Sequence, residues 1–395
     1  MKIRITLFLL SLMLSIGLLA QKKEISQART LLKNGKNPEQ AEQLMIKLLK
    51  DSANQNDKRI YALWFQAVAQ QYDKANERLY LHQNQDTAQF LALARRLFSI
   101  GGQLDTLDMR PDHRGRVDIE YRRQHAQQLL RLRPNLFNGG AFHFRKRAYL
   151  TAFDFFDTYI HNVHQPLFSN VQVDSLDPRL SEAAYWATLS GYRQHDPVLT
   201  LRHRHLALRD TAKAALTLQY IAEARRWLHD DSLYAVTLLH GFKHYPLNSY
   251  FFPRLIDYYT EHQQHTQALQ LCDTALAVAD TSRLFLFAKA TALFNLKRYD
   301  ESLQTAELII DRFGDNMPEA YFLAGSALVN QALLLDPLSQ KKQLRKTYTK
   351  ARPYMERFRQ LCPDQRQKWG TALYRIYLNL NLGRQFDEID KLLEK

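Results

Sequence analysis

Between residues 283 and 314 the chain reads RLFLFAKATALFNLKRYDESLQTAELIIDRFG, and its apolar positions recur three and four apart on either side of a polar break at Lys297–Arg298. That spacing predicts two amphipathic helices joined by a tight turn, the second closed by Gly314. Counting Arg283 as position 1, large apolar residues stand at positions 4 (Leu286) and 11 (Leu293). Small ones stand at 8 (Ala290), 20 (Ser302) and 24 (Ala306), and position 17 is Tyr299. A small residue on each helix lets the two backbones cross closely, while large residues one turn away fill the space beside the crossing.

The pattern recurs at a fixed distance. Thirty-four residues earlier, from Ser249, the same positions hold Phe252, Ile256, Tyr259, Ala268 and Cys272, with Asp280 at position 32. From Ala215 they hold Leu218, Ala222, Arg225, Tyr234 and Leu238, with Pro246 closing the second helix. The frame from Ser181 carries Ala184, Thr188 and Gly191 and a weak second helix around LTLRHRHLAL. The frame from Met317 carries Ala320, Ala324 and Ala327, inserts LLLDPLSQKKQLRKTYTK, and resumes at Ala351, Met355, Phe358 and Pro363. A further frame from Arg133 holds Leu136, Gly139, Gly140, Tyr149, Ala152, Phe156 and Tyr159. Lys289 at position 7 and Asp231 at position 17 depart from the pattern and blur individual boundaries.

A period of 34 residues with these small and large positions resembles the tetratricopeptide repeat (TPR) family. The resemblance implies an all-α chain, a right-handed superhelical solenoid of antiparallel helix hairpins whose core runs continuously between neighbours. It covers most of residues 21–395, read as one repeat domain. The best-registered repeats are 133–166 and 181–363, and a capping hairpin occupies 366–395. An N-terminal pair is expected around Ala41, Met45 and Leu48. Residues 57–132 are helical by pattern but irregular, with Gly101–Gly102 and the DMRPDHRGR loop expected to interrupt them. The stretch HQPLFSNVQVDSLDPRL, 164–180, reads either as a hinge between two halves or as a surface loop.

In the family, first-helix positions 2, 5, 9, 12 and 13 line the inner face, and the resemblance carries that role onto matched residues here. They are Phe137, Phe144 and Arg145; Tyr185, Tyr192 and Arg193; Gln219, Glu223, Arg226 and Trp227; then Tyr250, Asp257, Phe287, Phe294, Asn295 and Tyr321. Aromatic rings beside arginines are the residue types that anchor a partner in a desolvated patch. Packing against adjacent helices is the competing role for each. Tyr192, Arg193, Arg226 and Trp227 mix ring and charge on adjoining frames and form the leading candidate patch.

Composition agrees with helix: Gly (13) and Pro (12) are scarce among 395 residues, and 41 Tyr and Phe supply bulk for packing. The first twenty residues, MKIRITLFLLSLMLSIGLLA, join a basic start to an apolar run and a small residue at Ala20, the layout of a secretory signal peptide, with an uncleaved anchor as the alternative. Export to the periplasm or envelope of a Gram-negative bacterium is therefore expected, with no transmembrane span beyond that segment. Cys272 and Cys362 are expected as buried small hydrophobes, a disulfide being the alternative in an exported chain. A net charge of +14 suits an acidic protein or peptide partner or an anionic glycolipid, and export argues against nucleic acid.

Catalytic patterns are absent from the sequence: it contains no phosphate loop, H-E-x-x-H, G-x-S-x-G or C-x-x-C. Histidines one turn apart, His161/His164, His240/His244 and His262/His265, have metal-ligand spacing but no third ligand near in sequence, so no metal or cofactor is expected. Asp154 and Asp157 read as helix-face acids, and the run KKQLRKTYTKAR, 341–352, as a solvated basic face. The expectation is a non-enzymatic scaffold holding a protein or peptide on its inner face, as a member of an envelope complex. The alternative is an envelope glycan or anionic glycolipid binder.

Overall fold

The computed structural model describes residues 21–112, 114–169, 177 and 179–393, so the expected signal peptide at 1–20 lies outside the described residues. Every regular element among the described residues is helical, and none of these helices is long and apolar enough to cross a membrane. The chain forms two compact units, Met1–Tyr234 and Ala235–Lys395, divided within a helix rather than at 164–180.

The first unit holds α1 (residues 21–33), α2 (Pro38–Leu49), α3 (Lys58–Tyr80), α4 (Thr87–Asp108), α5 (Arg122–Arg145) and α6 (Tyr149–His161). These are followed by α7 (Arg179–Arg193), α8 (Pro197–Arg202), α9 (Arg204–Ala207) and α10 (Ala214–Trp227). Each helix packs chiefly on its neighbours in sequence, as a tandem array of hairpins requires. Residues 57–132 are more regular than their sequence suggests. Gly101 and Gly102 lie inside the 22-residue α4 and do not interrupt it. Gly101 is there because Leu129 of α5 approaches so closely that a Cβ would meet its Cδ1 at 2.8 Å. The real interruption is the loop after α4, and buried charges tie it down. Asp105 takes a two-pronged hydrogen bond from Arg122 (2.7 and 3.0 Å), and Asp108 accepts from Lys58 Nζ and the Tyr121 amide.

The repeat beginning at Arg133 also differs from its frame. α5 starts at Arg122 and carries Pro134 in its interior, so the frame begins midway along a longer helix. Its glycines do mark the crossing: a Cβ on Gly139 or Gly140 would meet the Phe155 or Phe156 ring at 2.5–2.6 Å. After α6, Leu167 and Phe168 turn inward and are buried, and Asp177 accepts from Arg133 and Tyr159 at 2.6 Å each. The described part of 164–180 is therefore anchored in the core rather than merely lying over it.

The boundary helix α11 (Asp231–His244) leads into the second unit, which contains α12 (Phe251–Glu261), α13 (His265–Val278), α14 (Arg283–Asn295) and α15 (Tyr299–Phe313). α16 (Pro318–Leu333), α17 (Lys341–Leu361), α18 (Arg366–Leu380) and α19 (Gly383–Leu393) complete it. The expected second helix after the insertion is longer than the frame placed it: α17 starts at Lys341, so most of the insert is its first turns. There the basic residues stand on an exposed face, while Tyr348 is buried in the core and Leu344 packs half-buried against it. α18 and α19 are the expected terminal hairpin. Cys272 and Cys362 are both free thiols, Cys272 buried and Cys362 half-buried.

The 34-residue period appears in the backbone itself. Position 17 begins the second helix in four consecutive frames, at Pro197, Asp231, His265 and Tyr299. Two residues earlier the chain adopts positive φ, at His195 (56°), His229 (54°), Gln263 (56°) and Lys297 (60°). Around each, paired hydrogen bonds close the first helix: at His229 they run from its amide to Arg226 O (3.0 Å) and from the Asp230 amide to Arg225 O (3.0 Å). This is a Schellman cap, usually served by glycine, here built on His, Gln and Lys.

Candidate functional site

Rings on α7 and α10 face one another because residues 34 apart occupy the same place on successive first helices. Tyr192 of α7 stacks on Trp227 of α10 with centroids 5.4 Å apart and planes 17° from parallel, and lies 4.6 Å from Tyr220. His195, in its left-handed turn, lies tilted against Trp227 with ring centroids 5.2 Å apart. The row continues through Tyr220 to Tyr185 (6.4 Å), Trp186 (5.4 Å) and Phe144 of α5 (5.0 Å). Offset and edge-on contacts of this kind stabilise one another beyond the area they bury, so the row is a rigid platform.

The charged members stand at its rim. Arg193 is exposed, and Arg226, also exposed, bonds Glu223 at 2.6 Å. An arginine held by one carboxylate keeps guanidinium donors free for another acceptor. Burial, with the Tyr185 hydroxyl beside it, pushes the Tyr220 hydroxyl up to about 12.

Of the residues expected on this face, Tyr192, Arg193, Arg226 and Trp227 come together as described, with Gln219 half-buried beside Tyr220 in sequence. Tyr185 is different: it is only 6% exposed, with Lys213 Nζ above its ring, so it supports the platform from beneath. Trp186 and Tyr220 both occupy position 6, which the family's inner-face positions leave out. Their signal was visible all the same, as two large rings 34 residues apart.

The second-unit candidates make a separate set. Tyr250 lies under the Arg254 guanidinium at 3.8 Å, and Asp257 is exposed. Phe287 and Phe294 are half-buried against the Leu286–Ala324 core, and Asn295 is half-buried at the end of α14. Tyr321 donates to Asp315, which is also gripped by Arg357.

Three cavities of about 490, 530 and 540 Å³ in the first unit are lined by residues of α1–α6 and their adjoining turns. The paired acids Asp154 and Asp157 take different partners, Arg95 at 2.8 Å and His203 at 2.7 Å.

No family model matches the sequence, and no curated protein matches it. Among solved structures, the chain is similar to the C-terminal part of a TPR repeat-containing protein from Cytophaga hutchinsonii, at 15% identity and TM-score 0.43, covering 65% of this chain and 93% of that one. It is also similar to yeast Tom70, at 13% identity and TM-score 0.27, over 95% and 91% of the two chains. A Rap protein complexed with competence and sporulation factor is similar at 11% identity and TM-score 0.23, over 95% and 86%. Likenesses this distant carry no weight about function. The all-helical, tandem-hairpin class rests on the chain's own helices, turns and period, and in that architecture it resembles the TPR proteins.

Proposed function

We propose that this protein is an exported, non-enzymatic scaffold that holds an acidic protein or peptide across the ring row of α7 and α10. The observation that carries the reading is the Tyr192–Trp227 stack with Tyr220 beside it and Arg193 and Arg226 at its rim. Rigid rings contribute contact area at little entropic cost, and arginine adds bidentate recognition of carboxylates. With Lys2 and Arg4 removed by cleavage, 52 basic against 40 acidic side chains leave a net charge of +12, which speeds capture of an acidic partner at low salt. Membership of an envelope complex belongs to the same proposal, as does cleavage after Ala20.

The test uses Arg193→Glu/Arg226→Glu, which reverses two exposed charges and leaves the stacked rings in place. A partner captured from an envelope extract by the parent is purified and its affinity measured against both proteins. The expected result is a loss of at least about tenfold in the variant, shrinking as salt is raised. Equal affinities remove the patch from the interface, and elution by soluble glycan in place of peptide favours the glycolipid alternative. Sequencing the N-terminus of the protein recovered from a periplasmic fraction checks export, with Gln21 as the expected first residue.

A further inference from the structure

One histidine pair considered in the sequence acquires a third partner only in the fold. His161 does not work with His164; its Nδ1 stands 3.2 Å from Asp157 Oδ1, one turn earlier on α6. The same oxygen lies 2.7 Å from Nε2 of His203, 46 residues away in sequence. Among the described residues this is the one group of three whose potential ligand atoms all lie within 4.8 Å of one another.

His203 reaches this point because its repeat is irregular. The second helices α13 and α15 run 14 and 15 residues without a break, whereas α8 stops after six at His203, whose backbone (φ −106°, ψ 17°) leaves the helix before α9 begins. The break turns the ring down against Phe153, with centroids 6.1 Å apart, and edge-on to His161 at 5.4 Å. Its side chain is only 9% exposed, while Asp157 is 23% and His161 56% exposed, so the group has a fixed inner wall and an open outer side. That side opens on a cavity of about 530 Å³ lined also by Arg95, Ser99 and Thr158.

The geometry points to a binding site for a single first-row divalent transition ion, of which zinc is the natural occupant, held by Asp157, His161 and His203. Two imidazoles and one carboxylate are a borderline-soft donor set that favours zinc, nickel, cobalt or copper over magnesium or calcium. An ion about 2.0–2.2 Å from each donor holds them roughly 3.3 Å apart. The Asp157–His203 contact therefore has to open by about half an ångström, and the exposed His161 ring has to swing inward. A fourth position remains for water or for a carboxylate entering from the cavity side. Two features oppose the ion: His161 Nδ1 also stands 3.1 Å from the Asp157 carbonyl oxygen, a hydrogen bond the ring has to give up, and Arg202 Nη1 lies 3.6 Å from Asp157 Oδ1. The Arg202 side chain is 44% exposed, with its guanidinium over the Phe153 ring at 5.2 Å, so it can stay on that ring while its contact with Asp157 opens.

Cobalt(II) is the probe, because its visible absorption reports coordination geometry. Titration of the purified protein is expected to give one tetrahedral-type band that saturates at one equivalent and is displaced by zinc. His161→Ala, an exposed change that leaves the core intact, is expected to weaken the ion by at least about tenfold. Arg202→Met is expected to tighten it about threefold to tenfold by removing a positive charge beside the carboxylate. His240→Ala, at a surface pair elsewhere, is expected to change nothing. Failure to develop the band in the parent overturns the assignment, as does a band unaffected by His161→Ala. Weakening by Arg202→Met would also overturn it, since a purely structural Asp157 cluster loses a partner in that variant whereas a metal site loses a competitor.

Discussion

Replacing Gly191 by alanine places one methyl group where another helix's backbone already stands. A Cβ there would be 2.4 Å from Thr200 N, 2.7 Å from Leu199 C and 2.9 Å from Thr200 Cα. Ordinary van der Waals contact begins near 3.4 Å, so α7 and α8 must separate by about 1 Å, and no rotamer change relieves a clash with backbone. Overpacking of this type costs about 1–3 kcal/mol, here at the upper end, and the better helix propensity of alanine returns about 1 kcal/mol. The expected net loss is about 2 kcal/mol. Gly102 supplies the control: it also sits inside a helix of the first unit, but its Cβ would meet nothing closer than Gln165 Oε1 at 3.5 Å. Gly102→Ala should therefore stabilise by about 0.5–1 kcal/mol through helix propensity and reduced freedom of the unfolded chain. Urea unfolding followed by far-ultraviolet circular dichroism compares the midpoints, and hydrogen exchange locates the change. Gly191→Ala should lower the midpoint and deprotect the α7 and α8 amides, while Gly102→Ala should raise it. If the two variants shift stability in the same direction, the close approach of α8 to Gly191 does not limit packing and the reasoning fails.

His125 stacks on Phe65 at 4.0 Å, and burial lowers it to about 4 against the raising influence of Asp108 and Asp105. Its neutral form is favoured by folding, so its contribution to stability is complete above about pH 6.5 and lost as pH falls toward 4, by about 3 kcal/mol in all. His125→Phe should flatten the acid limb of the parent's stability curve, and an unchanged slope would place the acid sensitivity elsewhere. At the left-handed cap of α10, His229→Gly should be neutral or stabilising by up to about 1 kcal/mol and His229→Val destabilising, since a β-branched residue tolerates positive φ least. Thermal unfolding of the two variants decides this, and a stable valine variant would show that the turn relaxes out of the cap. Burial pushes the Cys272 thiol up to about 12 and raises Cys362 less far. A thiol reagent at neutral pH should therefore label Cys362 slowly in the native protein and reach Cys272 only after denaturation; two equally fast thiols would contradict the burial of α13.

The array of hairpins was legible because its causes are local. Small and large residues three and four apart settle which face of a helix is buried, and repetition every 34 residues sets where the next helix begins, as Pro197, Asp231, His265 and Tyr299 confirm. The leading patch was legible for the same reason: Tyr192 and Trp227 are each on a predictable face of consecutive first helices. Other features depended on what meets what. Gly101–Gly102 reads as a break by composition, yet Leu129 pressing on Gly101 makes the small residue part of a continuous helix. The caps at His195, His229, Gln263 and Lys297 carry no glycine to announce them, because paired hydrogen bonds offset the strain of positive φ in side chains that rarely adopt it. The Asp157–His161–His203 group left no trace in the sequence beyond a histidine pair. Periodicity is a property of one helix and its immediate turn, so the sequence determined the elements and their faces. A contact across 46 residues depends on where α8 breaks and how it packs on α6, which only the assembled tertiary structure decides.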